Sequence, residues 1–223
     1  MPAIPLSLAK RASVEFAGAS VLLMAIVGSG IMGERLAGGN DAIALLANSI
    51  ATGAVLVALL LAFGEVSGAH FNPLVTLSGA FRQKFPWRET PAYIGAQVVG
   101  AFSGVALANV MFGLPVILTS HHVRTGWTQW IAEAVATAGL LTVIACSVRW
   151  RPSATPFAVA GYVTAAYWFF PSTSFANPAV TLSRSITDTF SGIRPTDVPA
   201  FLVAQCAGAL AATAFLGWIL NDE

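Results

Sequence analysis

The sequence predicts an all-α membrane protein, a bundle of six transmembrane helices and two re-entrant half-helices arranged as an inverted repeat. Charged residues make up 9% of the 223 residues, against roughly 25% in ordinary soluble domains, and hydrophobic residues make up 56%. Six long apolar stretches follow one another along the chain. The string Asn-Pro-x-Val-Thr-Leu-Ser occurs twice, beginning at Asn72 and at Asn177. So few charges could not cover the surface of a water-soluble domain, so apolar surface must face lipid.

The six apolar stretches have the length that a membrane requires. A bilayer core of about 30 Å is crossed by a helix of about 20 mostly apolar residues. We expect the spans at about 12–32, 42–63, 91–112, 128–148, 154–170 and 199–220. The fifth is short and is bounded by prolines at both ends. The first continues too far for a cleaved signal peptide, so we interpret it as a membrane span.

The chain divides into two halves, at about 1–115 and 126–223, within one domain that spans residues 1–223. Each half holds three spans and one Asn-Pro segment. Because three crossings leave the chain on the other side, the second half enters the membrane from the opposite side. That arrangement is an inverted repeat, in which broken helices meet near the midplane.

The distribution of Lys and Arg predicts the orientation. Seven of them flank one side of the predicted spans and four flank the other, and the richer side is expected to be cytoplasmic. The seven are Lys10, Arg11, Arg82, Lys84, Arg88, Arg149 and Arg151, and the four are Arg35, Arg124, Arg184 and Arg194. Both termini should then be cytoplasmic, with the protein in the inner membrane of the cell.

Each Asn-Pro pair is a signal for a helix to begin. Asparagine is a favoured N-cap and proline is favoured at the first helical position. The apolar runs that follow, 73–81 and 178–183, are too short to cross a bilayer. Two half-helices starting at the midplane would point their positive dipole ends at each other, which disfavours cations and offers two asparagine amides to neutral solutes. One isolated copy would more simply cap a surface helix, but two copies in inverted halves favour a pore.

These motifs resemble those of the aquaporin (major intrinsic protein) family of water and small-solute channels. Residues 67–76, SGAHFNPLVT, are similar to the first pore loop of that family, with leucine in place of the usual alanine, and residues 175–180, FANPAV, are similar to the second. The bulkier leucine is expected to shift the packing between the two half-helices. The resemblance extends over essentially the whole chain. It identifies the pore motif as Asn72, Pro73, Leu74, Asn177, Pro178 and Ala179.

The resemblance also implies roles for polar residues outside the motif, and it implies partners. Glu15 of span one and Glu133 of span four are expected to brace the pore loops rather than to relay protons, and Gln97 of span three adds to the resemblance. His70 is expected to brace its loop, with pH gating by its imidazole as the alternative. The family usually forms homotetramers in the lipid bilayer, and it needs no cofactor, metal or nucleic acid.

The predicted selectivity filter departs from the family pattern. Val180 stands where an arginine usually follows the second Asn-Pro-Ala, and Arg184 comes one turn later, too far along for simple substitution. The other filter positions fall on Thr52, on Ser174, and on Tyr167 or Ala166 depending on the alignment. This ring should be wider and less polar than that of a strict water channel. The motif resembles a bacterial aquaglyceroporin-like branch associated with arsenic detoxification, which implies polyols and metalloid acids such as arsenite or methylated arsenicals as solutes.

Other functions are less well supported by the sequence. A strict water channel remains the alternative, and a secondary transporter also uses inverted repeats, but the Asn-Pro segments contain no carboxylate for ion coupling. We find no nucleophile–base pair, glycine-rich phosphate loop or metal-ligand spacing that would indicate an enzyme. His121 and His122 are expected to lie in a solvated loop, without a carboxylate partner.

Overall fold

The computed structural model describes residues 6–220, and the described part of the chain is helical, with no β-strand. The helices are α1 (Leu8–Leu36), α2 (Asp41–Ser67), α3 (Pro73–Phe81), α4 (Thr90–Met111), α5 (Trp127–Trp150), α6 (Thr155–Phe169), α7 (Pro178–Ser183) and α8 (Val198–Leu220). Three short 3₁₀ turns lie at Pro152–Ala154, Arg184–Ile186 and Pro195–Asp197.

The predicted spans and half-helices are all present. The helices α1, α2, α4, α5 and α8 are long and apolar enough to cross a membrane. The remaining helix, α6, corresponds to the fifth apolar stretch, which was predicted to be short, and it has only 15 residues. The half-helices α3 and α7 cover the predicted ranges 73–81 and 178–183, whereas α1 begins earlier and ends later than predicted. The protein is therefore an integral membrane protein.

Small residues allow the long helices to pack closely. A Cβ atom at Gly100 of α4 would overlap the backbone carbonyl of Phe16 in α1. Correspondingly, a Cβ atom at Gly208 of α8 would overlap the carbonyl of Ala134 in α5. Such close approach between helix backbones is typical of membrane helices, where van der Waals packing replaces the hydrophobic effect. The same kind of contact thus joins the first and third long helices of each half.

The long helices alternate in direction. Helices α1, α4 and α6 run one way and α2, α5 and α8 run the other, so α1 begins and α8 ends on one side of the bundle. We call that side the terminal face and the other side the opposite face. At the terminal face, Arg11 forms a salt bridge of 2.8 Å with Glu89 at the start of α4. The hydrogen bond from Arg11 lowers the pKa of the Glu89 carboxyl.

The half-helices start inside the bundle and end near its two faces. Asn72 caps α3 by accepting a hydrogen bond of 2.9 Å from the amide of Leu74. Asn177 caps α7 by accepting one of 2.9 Å from the amide of Ala179. The prolines at the first helical positions lack the N–H that would otherwise need a partner. Each Asn-Pro pair is therefore a helix start, as predicted, and the two starts lie next to each other.

Candidate functional site

The two Asn-Pro loops are joined by a reciprocal pair of hydrogen bonds. The side-chain amide of Asn72 donates to the carbonyl oxygen of Ala176 at 2.9 Å. The amide of Asn177 donates to the carbonyl oxygen of Phe71, also at 2.9 Å. Each amide nitrogen carries two hydrogens, so one on each asparagine remains for a solute. These bonds fix the helix starts of the two halves against each other.

The first loop is held by a fully buried carboxylate on α1. Glu15 accepts hydrogen bonds from the backbone amides of His70 (3.0 Å) and Phe71 (2.7 Å). It also accepts from the Ser67 hydroxyl (2.6 Å) and from the side-chain amide of Gln97 (2.8 Å). Four donors around one buried carboxylate satisfy the charge that burial would otherwise leave unsolvated. Two of these bonds tie the backbone of the first loop to α1.

The second loop is held in the same way from α5. Glu133 accepts from the amides of Phe175 (2.8 Å) and Ala176 (2.9 Å), and from the side chain of Gln205 (2.7 Å). The sequence reasoning named Gln97 but missed Gln205. Gln205 also donates to the hydroxyl of Thr181 in the second motif (2.8 Å), as Gln97 does to that of Thr76 in the first (3.0 Å). The internal repeat could have predicted Gln205, because it is the counterpart in the second half of Gln97 in the first.

The carboxylates hold loops whose backbone is strained. Phe71 and Ala176, directly before the two asparagines, have φ of 47° and 45°, and Ala69 and Ser174 have φ of 48° and 54°. A non-glycine residue in this left-handed region costs roughly 1–2 kcal/mol. The four strained residues occupy corresponding positions in the two loops. Hydrogen bonds to the two buried glutamates from the amides of residues 70, 71, 175 and 176 offset this strain.

A cavity of about 850 Å³ passes between the half-helices and the surrounding helices. Its wall runs from Lys84 and Arg149 at the terminal face, past Asn72 and Asn177, to Arg184 near the opposite face. The predicted residues on this wall are His70, Asn72, Asn177, Thr52, Tyr167, Ser174 and Val180. The cavity therefore follows the path that a pore between the two halves would take.

Other predicted residues lie behind the wall. Pro73, Pro178 and Ala179 do not line the cavity, nor do Glu15 and Glu133, which reach it only through the loop backbones. The imidazole of His70 lies on the wall and bonds the Thr76 hydroxyl at 3.0 Å.

The substitution in the first motif has a different place from the one we expected. Leu74 is buried away from the cavity and packs against Leu141 of α5 and Ala209 and Ala212 of α8. We had expected its bulk to fall between the two half-helices. Because the side chain points to the outer helices instead, the larger residue fills a helix–helix interface and leaves the pore path unchanged.

Two hydroxyl groups meet on the wall between α2 and α6. The hydroxyl oxygens of Thr52 and Tyr167 lie 3.2 Å apart. Of the two alternatives for the α6 position, Tyr167 is on the cavity wall, whereas Ala166 is fully buried and is absent from it. The pair therefore presents one hydroxyl hydrogen that the internal bond does not use.

A cation that sequence reasoning set aside also lies on this wall. Arg184 is the C-cap of the six-residue helix α7, and its guanidinium lies over the ring of Phe175, 3.5 Å from the centroid. It lines the same cavity as Val180. Sequence spacing alone gave no signal of this position, because a helix continued beyond Ser183 would have carried Arg184 a full turn away from the constriction.

The loop beyond α4 differs from prediction at one histidine. His121 was expected to have no carboxylate partner, but its Nδ1 lies 3.1 Å from Asp188, whose other oxygen accepts from the His121 amide at 2.8 Å. These hydrogen bonds lower the pKa of the Asp188 carboxyl. In residues 6–220 no group of three or more His, Cys, Asp and Glu side chains is arranged to hold a metal ion. The contact ties two loops of the opposite face together.

This geometry agrees with the comparison to known families. The sequence model of the family described as "Major intrinsic protein" matches residues 5–155 and 121–223, which together cover nearly all of the chain. The chain is a major intrinsic protein. Members of this family are channels, so this major intrinsic protein is a membrane channel for water and small solutes.

Individual relatives support the assignment. This major intrinsic protein is 51% identical over 214 residues to "Aquaglyceroporin AqpS" of Rhizobium meliloti (strain 1021), covering 96% of this chain and 91% of the relative. It is 33% identical over 111 residues to "Aquaporin NIP3-1" of Oryza sativa subsp. japonica, covering 49% of this chain and 35% of the relative. The solved aquaglyceroporin of Plasmodium falciparum has the same fold, with a TM-score of 0.77 at 23% identity over 96% of this chain and 97% of that one.

Proposed function

We propose that this channel passes uncharged solutes larger than water, as well as water itself. The solutes would be glycerol-like polyols and metalloid acids such as arsenite or methylated arsenicals. The observation that carries the proposal is Val180, which lines the cavity at the position where the family usually has arginine. A strict water channel is the main alternative.

The chemistry of the wall supports this range of solutes. Valine is shorter than arginine and carries no charge, so Val180 widens the ring that it forms with Thr52, Tyr167 and Ser174. The Thr52–Tyr167 pair supplies a hydroxyl donor, and the amides of Asn72 and Asn177 supply two more further in. A polyol or a metalloid acid has several hydroxyl groups that such spaced donors and acceptors can hold in turn. These groups can replace water around a neutral solute, and the guanidinium of Arg184 adds donors nearer the opposite face.

The half-helices support the exclusion of cations. Helices α3 and α7 both begin near the centre of the bundle, so their positive dipole ends lie together there. A cation crossing this point would meet that potential after losing part of its hydration shell. Neutral solutes carry no such penalty, which favours them as the conducted class.

Metalloid acids are the most specific part of the proposal. The string FANPAVT at 175–181 resembles a branch associated with arsenic detoxification. The Rhizobium relative is named an aquaglyceroporin, which fits solutes larger than water for that protein. Arsenite at neutral pH is an uncharged trihydroxy acid, similar to glycerol in its number of hydroxyl groups.

We further propose that residues 1–223 form one channel domain from two inverted halves and that four copies assemble into a homotetramer with one pore each. Glu15, His70 and Glu133 brace the pore loops. The protein would lie in the inner membrane with both termini cytoplasmic, because seven of eleven Lys and Arg residues flank the terminal face.

A solute panel in proteoliposomes tests the proposal. Stopped-flow light scattering would measure the permeability to water, glycerol, urea and arsenous acid against empty liposomes. We expect glycerol and arsenous acid to pass together with water, at rates that rise linearly with the gradient. Passage of water alone would favour the strict water channel. Saturable flux that follows an ion gradient would favour a secondary transporter.

A further inference from the structure

Two buried cations lie side by side near the opposite face of the bundle. The guanidinium carbons of Arg124 and Arg184 lie 5.0 and 3.5 Å from the centre of the Phe175 ring. Both arginines are more than nine-tenths buried, at 7% and 2% exposed. Burial of a charged group carries a large desolvation cost unless hydrogen bonds or an opposite charge compensate it. The hydrogen bonds and opposite charges around each guanidinium therefore decide whether this cost is met within the protein.

Each of the three guanidinium nitrogens of Arg124 donates a hydrogen bond within the protein. Its Nε donates to the carbonyl of Gly192 at 2.8 Å, its Nη1 to that of Ser172 at 3.4 Å and its Nη2 to that of Phe190 at 3.3 Å. Burial lowers the pKa of Arg124 to about 10, so the side chain is charged at neutral pH. Arg124 thus holds the outer loops together and contributes a fixed positive charge.

The donors of Arg184 are used only in part. Its Nε donates to the carbonyl of Ser191, but no residue within 6–220 accepts a hydrogen bond from its two Nη groups. Arg184 is on the cavity wall, as are its neighbours Phe175 and Val180. The unpartnered donors of a nearly fully buried guanidinium therefore open onto the cavity.

The surrounding charge is positive. Within the described part of the chain, neither Arg124 nor Arg184 forms a salt bridge. The carboxylate that contacts the Phe175 loop is Glu133, and its oxygens accept from loop amides and from Gln205. Asp197 also accepts from the Arg124 amide, at 2.9 Å, but it is paired with Arg194 at 2.8 Å. Arg124 and Arg184 against Glu133 therefore leave one positive charge in excess where the cavity nears the opposite face.

We propose that the two Nη groups of Arg184 form an oxyanion-binding subsite at this mouth of the cavity. The ligand class is a small monoanion with two or three oxygens on one atom, such as a carboxylate or a sulfonate. A guanidinium presents parallel N–H groups that match two such oxygens, and the bonds are charge-assisted. The side chain of Val180 is small and neutral, so it leaves room for the head group. The subsite rests on the proposed function only in taking the cavity as the conducting path.

Methanesulfonate and methanesulfonamide provide a matched pair of probes, because they have similar shapes and differ in charge. Glycerol flux would be measured in proteoliposomes with sodium chloride replaced mole for mole by sodium methanesulfonate on both sides, or with methanesulfonamide added. We expect saturable inhibition by methanesulfonate in the millimolar range and no inhibition by methanesulfonamide at the same concentrations. Equal effects of the two compounds would overturn the subsite.

Variants assign the effect to one side chain. Arg184→Gln should raise the half-inhibiting methanesulfonate concentration by about tenfold or more, since it removes hydrogen bonds to a charged group. Arg184→Lys keeps the positive charge but lacks the parallel N–H groups of the guanidinium, so its half-inhibiting concentration should lie between those of the parent and Arg184→Gln. Arg35→Gln removes an exposed arginine from the same face and should behave like the parent protein. Unchanged inhibition in Arg184→Gln would contradict the proposal.

A binding measurement on the parent protein does not depend on the folding of any variant, and it separates the subsite proposal from the proposed function. Equilibrium dialysis of labelled methanesulfonate against the purified parent protein in detergent should show one site per chain. Absence of saturable binding overturns the subsite whatever the flux results are. If the parent protein binds methanesulfonate but passes no glycerol, the subsite stands and the polyol function fails.

Discussion

The hydroxyl oxygens of Thr52 and Tyr167 lie 3.2 Å apart, in a bond that links α2 to α6 on the cavity wall. One hydroxyl donates to the other, so the pair keeps a single hydrogen for a passing solute. The distance therefore makes Thr52 and Tyr167 one hydrogen-bonding unit.

Tyr167→Phe distinguishes the effect of this hydroxyl pair on permeability from the effect of the width of the filter. The change removes one hydroxyl and keeps the aromatic volume, so permeability to glycerol should fall by about fivefold, the equivalent of one hydrogen bond, while permeability to water changes less. Stopped-flow light scattering would measure both rates. Tyr162→Phe is the matched control, because Tyr162 donates to the carbonyl of Ala136 and lies off the wall. A parallel loss of glycerol flux in both variants would show that the effect is structural.

Val180→Arg would restore the residue that the family usually has. The longer side chain narrows the ring and adds a cation close to Arg184, so permeability to glycerol and arsenous acid should fall by roughly tenfold or more, the equivalent of about 1.4 kcal/mol in the barrier, with a smaller loss for water. Val180→Met is the control for length without charge. If Val180→Arg and the parent pass the large solutes equally, Val180 does not determine selectivity.

Glu133→Gln tests the bracing contacts. Glu133 accepts three hydrogen bonds, and a glutamine would turn one acceptor into a donor that faces other donors. We expect a loss of roughly 3 kcal/mol in the free energy of unfolding, since buried groups would be left unpaired. Thermal unfolding in detergent would detect it as a lower Tm. Glu34→Gln, at an exposed site on α1, should leave the Tm near that of the parent.

Gly208→Ala tests the close packing of α8 on α5. The added methyl would overlap the carbonyl of Ala134, so we expect a loss of about 1–3 kcal/mol in stability, as for overpacked cores. Gly217→Ala is the control on the same helix, because no atom lies within 4 Å of a Cβ atom placed there. Tm values of the two variants that fall together would show that glycine packing is not the cause.

Local signals predicted most of the fold. Length and hydrophobicity place the spans, and an Asn-Pro pair fixes a helix start whatever surrounds it. The half-helices therefore begin at Pro73 and Pro178 as predicted. The helix ends were less predictable, as α1 shows, since the polar residues at the bilayer surface allow a helix to continue.

The site was predicted less completely, for two reasons. Sequence alignment could not decide between Ala166 and Tyr167, since the answer depends on the rotation of a short helix whose end no cap residue marks. Arg184 was set aside because ideal helical spacing moved it away from Val180, but α7 ends at Ser183 and the long side chain reaches back to Phe175. Long side chains beyond a helix end follow tertiary contacts rather than periodicity.

The reciprocal bonds between Asn72 and Ala176 and between Asn177 and Phe71 have a consequence for biosynthesis. When the first half has entered the membrane, the Phe71 carbonyl and the Asn72 side-chain amide lack these hydrogen-bond partners. Residues 176 and 177, which supply them, are synthesised more than a hundred residues later. The hydrogen bonds of the first re-entrant loop to the second half thus remain unmade until the second loop has been inserted. Final closure of the two loops is then a single late step, and a defect in either loop is expected to delay maturation of the whole chain.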